Sequence, residues 1–180
     1  MVPADGNESH FCVMHLQEPM AVTLSDIEVI SCSAHRRAAS SEIQRSINGR
    51  TAFLRRWRGT PYDKAERNCW WLASLAQAEL FGRMLPAAVP ALVADIRARA
   101  ETMANHPARA EWREMPAPVD GALVLMGKVA GAETHCGVYL AQDGGLILHT
   151  DERHGVVLDP PLELAAAKRW RLTYLIPKVQ

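Results

Sequence analysis

The chain has 180 residues, 48% hydrophobic and 22% charged, enough apolar material for one ordinary domain and too much for a disordered chain. Lys+Arg and Asp+Glu each total 20, so no net field draws the protein toward nucleic acid or anionic lipid. No run reaches the length of a membrane span. The start, MVPADGNESHFCVMHL, lacks the basic and apolar regions of a secretory signal, and four scattered cysteines do not form a disulfide framework. Synthesis in a reducing cytoplasm is the expectation.

Residues 1–46 read as a poorly ordered amino-terminal extension, because small polar stretches such as CSAHRRAASSE carry no sustained period. Within them, AVTLSDIEVIS (Ala21 to Ser31) alternates as one strand would. His10, Cys12 and His15 form an H-x-C-x-x-H cluster with no fourth zinc ligand nearby, so no metal site is expected. The domain proper is predicted over residues 47–180. INGRTAFLRRWRG reads as a short helix stopped at Gly59, with Phe53, Leu54 and Trp57 on its dry face and its arginines in water. TPYDKAERN is a loop, punctuated by Pro61. CWWLASLAQAELFG is a buried helix from Cys69, opened by the good N-cap residue Asn68 and closed by Gly82. A second helix is predicted from about Pro90.

The carboxy-terminal half changes period. GALVLMGK, HCGVYLAQ, GLILHT and GVVLD are short apolar or alternating runs bounded by Gly, Asp or Pro, and QDGG is a hairpin turn. PLELAAAKRW reads as a short helix and RWRLTYLIP as a last strand. Helices followed by an antiparallel meander predict an α+β fold, with amino-terminal helices packed on the sheet.

Cys69 is the candidate nucleophile. At the first turn of a helix the dipole favours a thiolate, and free N–H groups there can receive an oxyanion. A thiolate still needs a base nearby. His135 opens the strand HCGVYL, and His149 closes LILHT beyond the DGG turn. Folding the hairpin brings them near each other across paired strands; the register allows direct opposition, and a bulge at Gly144–Gly145 would shift it. His149 would orient the His135 ring, with Asp151 and His154 competing for that role. Cys136 points to the opposite face by alternation and reads as core. Tyr62 lies in the loop before Cys69, where a loop anchor is the simplest reading.

These residues resemble the NlpC-type cell-wall cysteine peptidases, a branch of the papain-like fold. That family places a cysteine at a helix start after a loop containing a Tyr. A strand reading roughly H-x-G-[IV]-Y-[IL] follows, then one ending in H-[AT]. Here the matching stretches are Tyr62 before Cys69, HCGVYL at 135–140 and LILHT at 146–150. GTPYDKAERNCWWLASLAQAELFGRMLP is most similar to the version in tailed phages and gene-transfer particles, and NCWW departs from the usual Asp-Cys followed by Ser-Gly or Trp-Gly. The resemblance covers about residues 50–180. It implies a peptidoglycan stem-peptide hydrolase acting at γ-D-glutamyl–diaminopimelate bonds through Cys69, His135 and His149, with Tyr62 toward the oxyanion and no cofactor. It further implies phage tail proteins as partners and association with a virion. A catalytically idle tail component, or a thiol amidase or acyl transferase on the same fold, is the alternative.

Overall fold

The computed structural model describes residues 24–87 and 95–178, with side chains from Ala38 onward. The His10, Cys12 and His15 cluster lies outside the described residues. The chain divides between Ile43 and Gln44 into two compact units. Helix α1 runs from Leu24 to Trp57. The strand expected over Ala21 to Ser31 is therefore helical from Leu24, and the short helix expected before Gly59 is the end of a longer one. The residues after Ser31 explain the difference. They are mostly Ala, Arg, Ser, Glu and Gln, with no proline before Pro61, so a helix once nucleated has nothing to stop it. No helix among the described residues is long and apolar enough to cross a membrane.

In the second unit, Phe53 is buried while Leu54 and Trp57 pack against the same core. Two of the arginines around them have carboxylate partners: Arg50 pairs with Asp120, and Arg56 with Glu79. Helix α2 spans Cys69–Phe81. Asn68 caps it, its Oδ1 accepting the Trp71 N–H at 3.1 Å, and Gly82 closes it. Helix α3 spans Ile96–Asn105, capped by Asp95, whose side chain accepts from the N–H groups of Arg97 and Ala98. Of the helix expected from about Pro90, residues 88–94 lie outside the described ones.

Six strands follow: β1 (Trp112–Met115), β2 (Leu123–Gly127), β3 (His135–Leu140), β4 (Leu146–Asp151), β5 (Gly155–Asp159) and β6 (Arg171–Pro177), with helix α4 (Pro161–Ala166) before the last. Among the described residues the architecture is α+β: four helices and one antiparallel sheet in the order β1-β6-β2-β3-β4-β5. The meander from β2 to β5 is as expected. Strand β6, however, returns to lie between β1 and β2, and β1 was not expected at all. The QDGG turn is a short 3-10 segment over Gln142–Gly144.

Both faces of the sheet are covered. Leu72, Ala73 and Ala76 of α2 pack with Cys136, Val138, Leu140 and Leu148 on one face. Val124, Met126 and Ile147 pack with Leu164 of α4 and with Trp170 on the other. This is why β2 reads LVLM without alternation.

Candidate active site

The loop before α2 is built by its own side chains. Asp63 and Arg67 exchange backbone hydrogen bonds, and Asp63 Oδ1 accepts from the N–H groups of Ala65 and Glu66. Asn68 adds a bond from Nδ2 to the Lys64 carbonyl at 3.2 Å. The upstream end is sewn to β5: Gly59 N–H donates to Val156, and Val156 N–H to Thr60, each at 2.9 Å. These ties set Tyr62 and Cys69 in one cleft. Its lining also includes Trp70, Arg99, Trp112, His135 and Thr150, around a cavity of about 160 Å³. That is room for a side chain or two rather than a drug-sized ligand.

The expected residues meet there, in a shifted register rather than in direct opposition. His135 and His149 are not directly opposed. Val138 pairs with Leu148 and Tyr139 with Ile147, so the two histidines are diagonal neighbours on one face. The diagonal is closed by the rings themselves, His135 Nε2 lying 3.1 Å from His149 Nδ1. Gly137 lies between them; a Cβ there would sit 3.1 Å from His149 Cβ and 2.6 Å from the Leu148 carbonyl. A side chain at 137 would push the second imidazole away.

The relay continues to a residue that sequence reasoning missed. His149 Nε2 is 2.9 Å from Asp159 Oδ2. Asp159 is again a diagonal neighbour, since His149 pairs with Val157 and Ile147 with Asp159. The hydrogen bond from His149 holds the Asp159 carboxyl below its usual range, so it is ionised. His149 is fully buried. Burial lowers its pKa, against the opposing pull of Asp159, and keeps the ring neutral. A neutral ring facing a carboxylate carries its proton on Nε2. Its Nδ1, which also lies 3.2 Å from the Thr150 carbonyl, is then the acceptor for His135 Nε2–H. The nitrogen of His135 left for chemistry is Nδ1. The one local signal for Asp159 is a lone acid at the end of the otherwise apolar run GVVLD; its place beside His149 follows only from the β4–β5 register.

Asp151 and His154, the competing candidates, bond elsewhere. Asp151 accepts from Lys168 Nζ at 2.7 Å and from His154 Nδ1 at 2.9 Å, holding the β4–β5 turn together. Trp170 is a second residue that was not foreseen. Its ring lies 5.0 Å from that of His135 and 6.2 Å from that of His149, walling the pair on that side.

Cys69 is 7% exposed. Its pKa is drawn well below the ordinary thiol range, first by a hydrogen bond from the Cys136 thiol and then by the charge and hydrogen bond of His135; burial opposes the shift. Cys136 is in the core, as expected, and it also touches the candidate nucleophile. Tyr62 is shifted upward by burial and by the neighbouring Cys69 thiolate, so its phenol stays protonated and can donate. Trp71 turns away from the cleft and meets Trp57 edge-on at 5.4 Å. Trp70 lines the cleft, its Nε1 donating to the Pro86 carbonyl at 2.9 Å. The second Trp of NCWW therefore does not obstruct the sulfur. No family model and no curated protein matches this chain.

A thiolate at a helix start beside an imidazole, itself held by a second imidazole and a carboxylate, can attack a carbonyl and manage the proton. Two consequences can be measured. Alkylation by iodoacetamide slows about tenfold per pH unit below the pKa of an ordinary thiol. Cys69 is expected to hold its rate to lower pH than an ordinary thiol, and a profile falling from about pH 8.5 would show an unactivated thiol. Asp159→Asn is expected to lower turnover by about a hundredfold or more with little change in KM. An amide at 159 would donate to His149 Nε2, forcing the proton to Nδ1 against the His135 donor. Wild-type turnover in that variant would remove Asp159 from the relay.

Proposed function

We propose that this protein is a cysteine peptidase of the papain-like NlpC type, cleaving amide bonds of peptidoglycan stem peptides at γ-D-glutamyl–diaminopimelate linkages. The observation that supports the reading is Cys69, at the start of α2, sharing one cleft with His135, whose ring is joined through His149 to Asp159. Cys69 attacks the scissile carbonyl. His135 carries the thiol proton on Nδ1 and returns it to the leaving amine. His149 holds the ring in register, and Asp159 fixes its tautomer. The Cys69 N–H, one of the groups at a helix start without a helical partner, and the Tyr62 phenol face the developing oxyanion. Water then attacks the acyl-enzyme, with His135 taking its proton.

An idle tail component of the same fold would gain nothing from burying an imidazole against a carboxylate, since desolvation opposes that arrangement. The test is digestion of diaminopimelate-type muropeptides by the full chain, untreated and blocked with iodoacetamide, with Cys69→Ala beside them. New amino termini at diaminopimelate are expected from the untreated protein alone. Equal product from all three ends the proposal. Tail-associated particles and their proteins are the partners this reading favours.

A further inference from the structure

The hydrolytic line uses one cysteine, but the structure brings two together. Helix α2 packs directly on β3, and Cys69 and Cys136 belong to the same buried cluster. Both are free, and each thiol is the largest influence on the other's acidity, Cys69 being drawn down and Cys136 pushed up. Their surroundings differ in one respect that matters. Cys69 lines the cleft, whereas Cys136 is fully buried and does not. A small oxidant entering the cleft therefore meets one sulfur with the second already waiting behind it.

We propose that Cys69 and Cys136 form a peroxide-sensing dithiol that closes to a disulfide and switches the site off. In the first step the Cys69 thiolate attacks a hydroperoxide oxygen. An S–O bond forms, the O–O bond breaks, and the leaving hydroxide or alkoxide takes a proton from the His135 imidazolium. Cys69 is now a sulfenic acid. In the second step the Cys136 sulfur attacks the Cys69 sulfur. An S–S bond forms, the S–O bond breaks, and hydroxide leaves as water with the Cys136 proton. Two thiols have given two electrons to one peroxide bond, and a dithiol reductant reverses the change. The same contact works in both redox states. Reduced, the Cys136 thiol supports the Cys69 thiolate; oxidised, it spares Cys69 from the irreversible sulfinic acid.

The step rests on Cys69 being a reactive thiolate and does not depend on the substrate proposed above. The experiment therefore reads the cross-link itself. Full-length wild-type protein is treated with hydrogen peroxide at neutral pH, blocked with N-ethylmaleimide, digested without reductant and mapped by mass spectrometry. The expected result is a peptide joining Cys69 to Cys136, the loss of two of the four thiols, and recovery of both on adding dithiothreitol. In Cys136→Ala, Cys69 is expected to be trapped by dimedone as the sulfenic acid and then to proceed to the sulfinic acid. Direct passage of wild-type Cys69 to the sulfinic acid, or its cross-linking to Cys12 or Cys32 instead, overturns the proposal. Wild-type mapping alone decides the matter if the variant does not fold. Should no muropeptide be cleaved under any condition, the peptidase reading fails while the dithiol still stands or falls on the cross-link.

Discussion

Cys69→Ala and His135→Ala are each expected to lower turnover of a stem-peptide amide by about four orders of magnitude, and the double variant is expected to fall no further. The reason is that the sulfur and the imidazole act as one device. Without His135 the proton has nowhere to go, and Cys69 loses part of the support that keeps it a thiolate. Without Cys69 there is nothing for His135 to activate at that position. Removing either removes the covalent route, so removing the second has little left to subtract. Single-turnover rates on a diaminopimelate-type muropeptide measure this directly. Penalties that add in the double variant would mean that the two residues contribute separately, and that the line drawn through them is wrong.

The second large effect is on stability. Gly155 opens β5 at φ 70°, and a Cβ built there would sit 2.1 Å from the Thr60 carbonyl and 3.1 Å from Pro61 Cα. Gly155→Ala is expected to destabilise the fold by about 3 kcal/mol, a left-handed backbone contribution of about 1–2 kcal/mol plus overpacking of about 1–3 kcal/mol. Gly131 is the control. Its φ is 74° with nothing within 4 Å, so alanine there meets only the backbone contribution. Urea denaturation of the two variants should separate them by the size of the clash, and equal losses would show that Thr60 is not held against β5. The displaced segment carries Tyr62, so Gly155→Ala should also impair the site at temperatures where the protein is still folded.

What could be read from the residues, and what could not, follows from how local each signal was. The start of α2 was legible because Asn68, an apolar helical stretch and Gly82 are local and agree. Strands β2 to β5 were legible because Gly, Asp or Pro bounds each apolar run. Strand β1 was not: WREM is four residues, half of them charged, at the sheet edge. The return of β6 between β1 and β2 depends on pairings far apart in sequence, which no window along the chain contains. The same distinction governs the site. Cys69, His135 and His149 announce themselves by residue type and position within their elements. Asp159 becomes visible only once the register of β4 against β5 is known, and the meeting of Cys136 with Cys69 only once α2 is laid on β3.

The diagonal relay has a consequence for how the protein can fail. His135, His149 and Asp159 sit on three successive strands and share one face because the side-chain period is two. A slip of a single residue in either pairing would turn one partner over to the other face. On the proposed reading, hydrolysis would work as a proofreader of assembly: a molecule whose ribbon has zipped out of step would be silent rather than sluggish. In a sample with a misfolded fraction, dilution of fully active molecules by inert ones is the expected appearance, with an unchanged Michaelis constant.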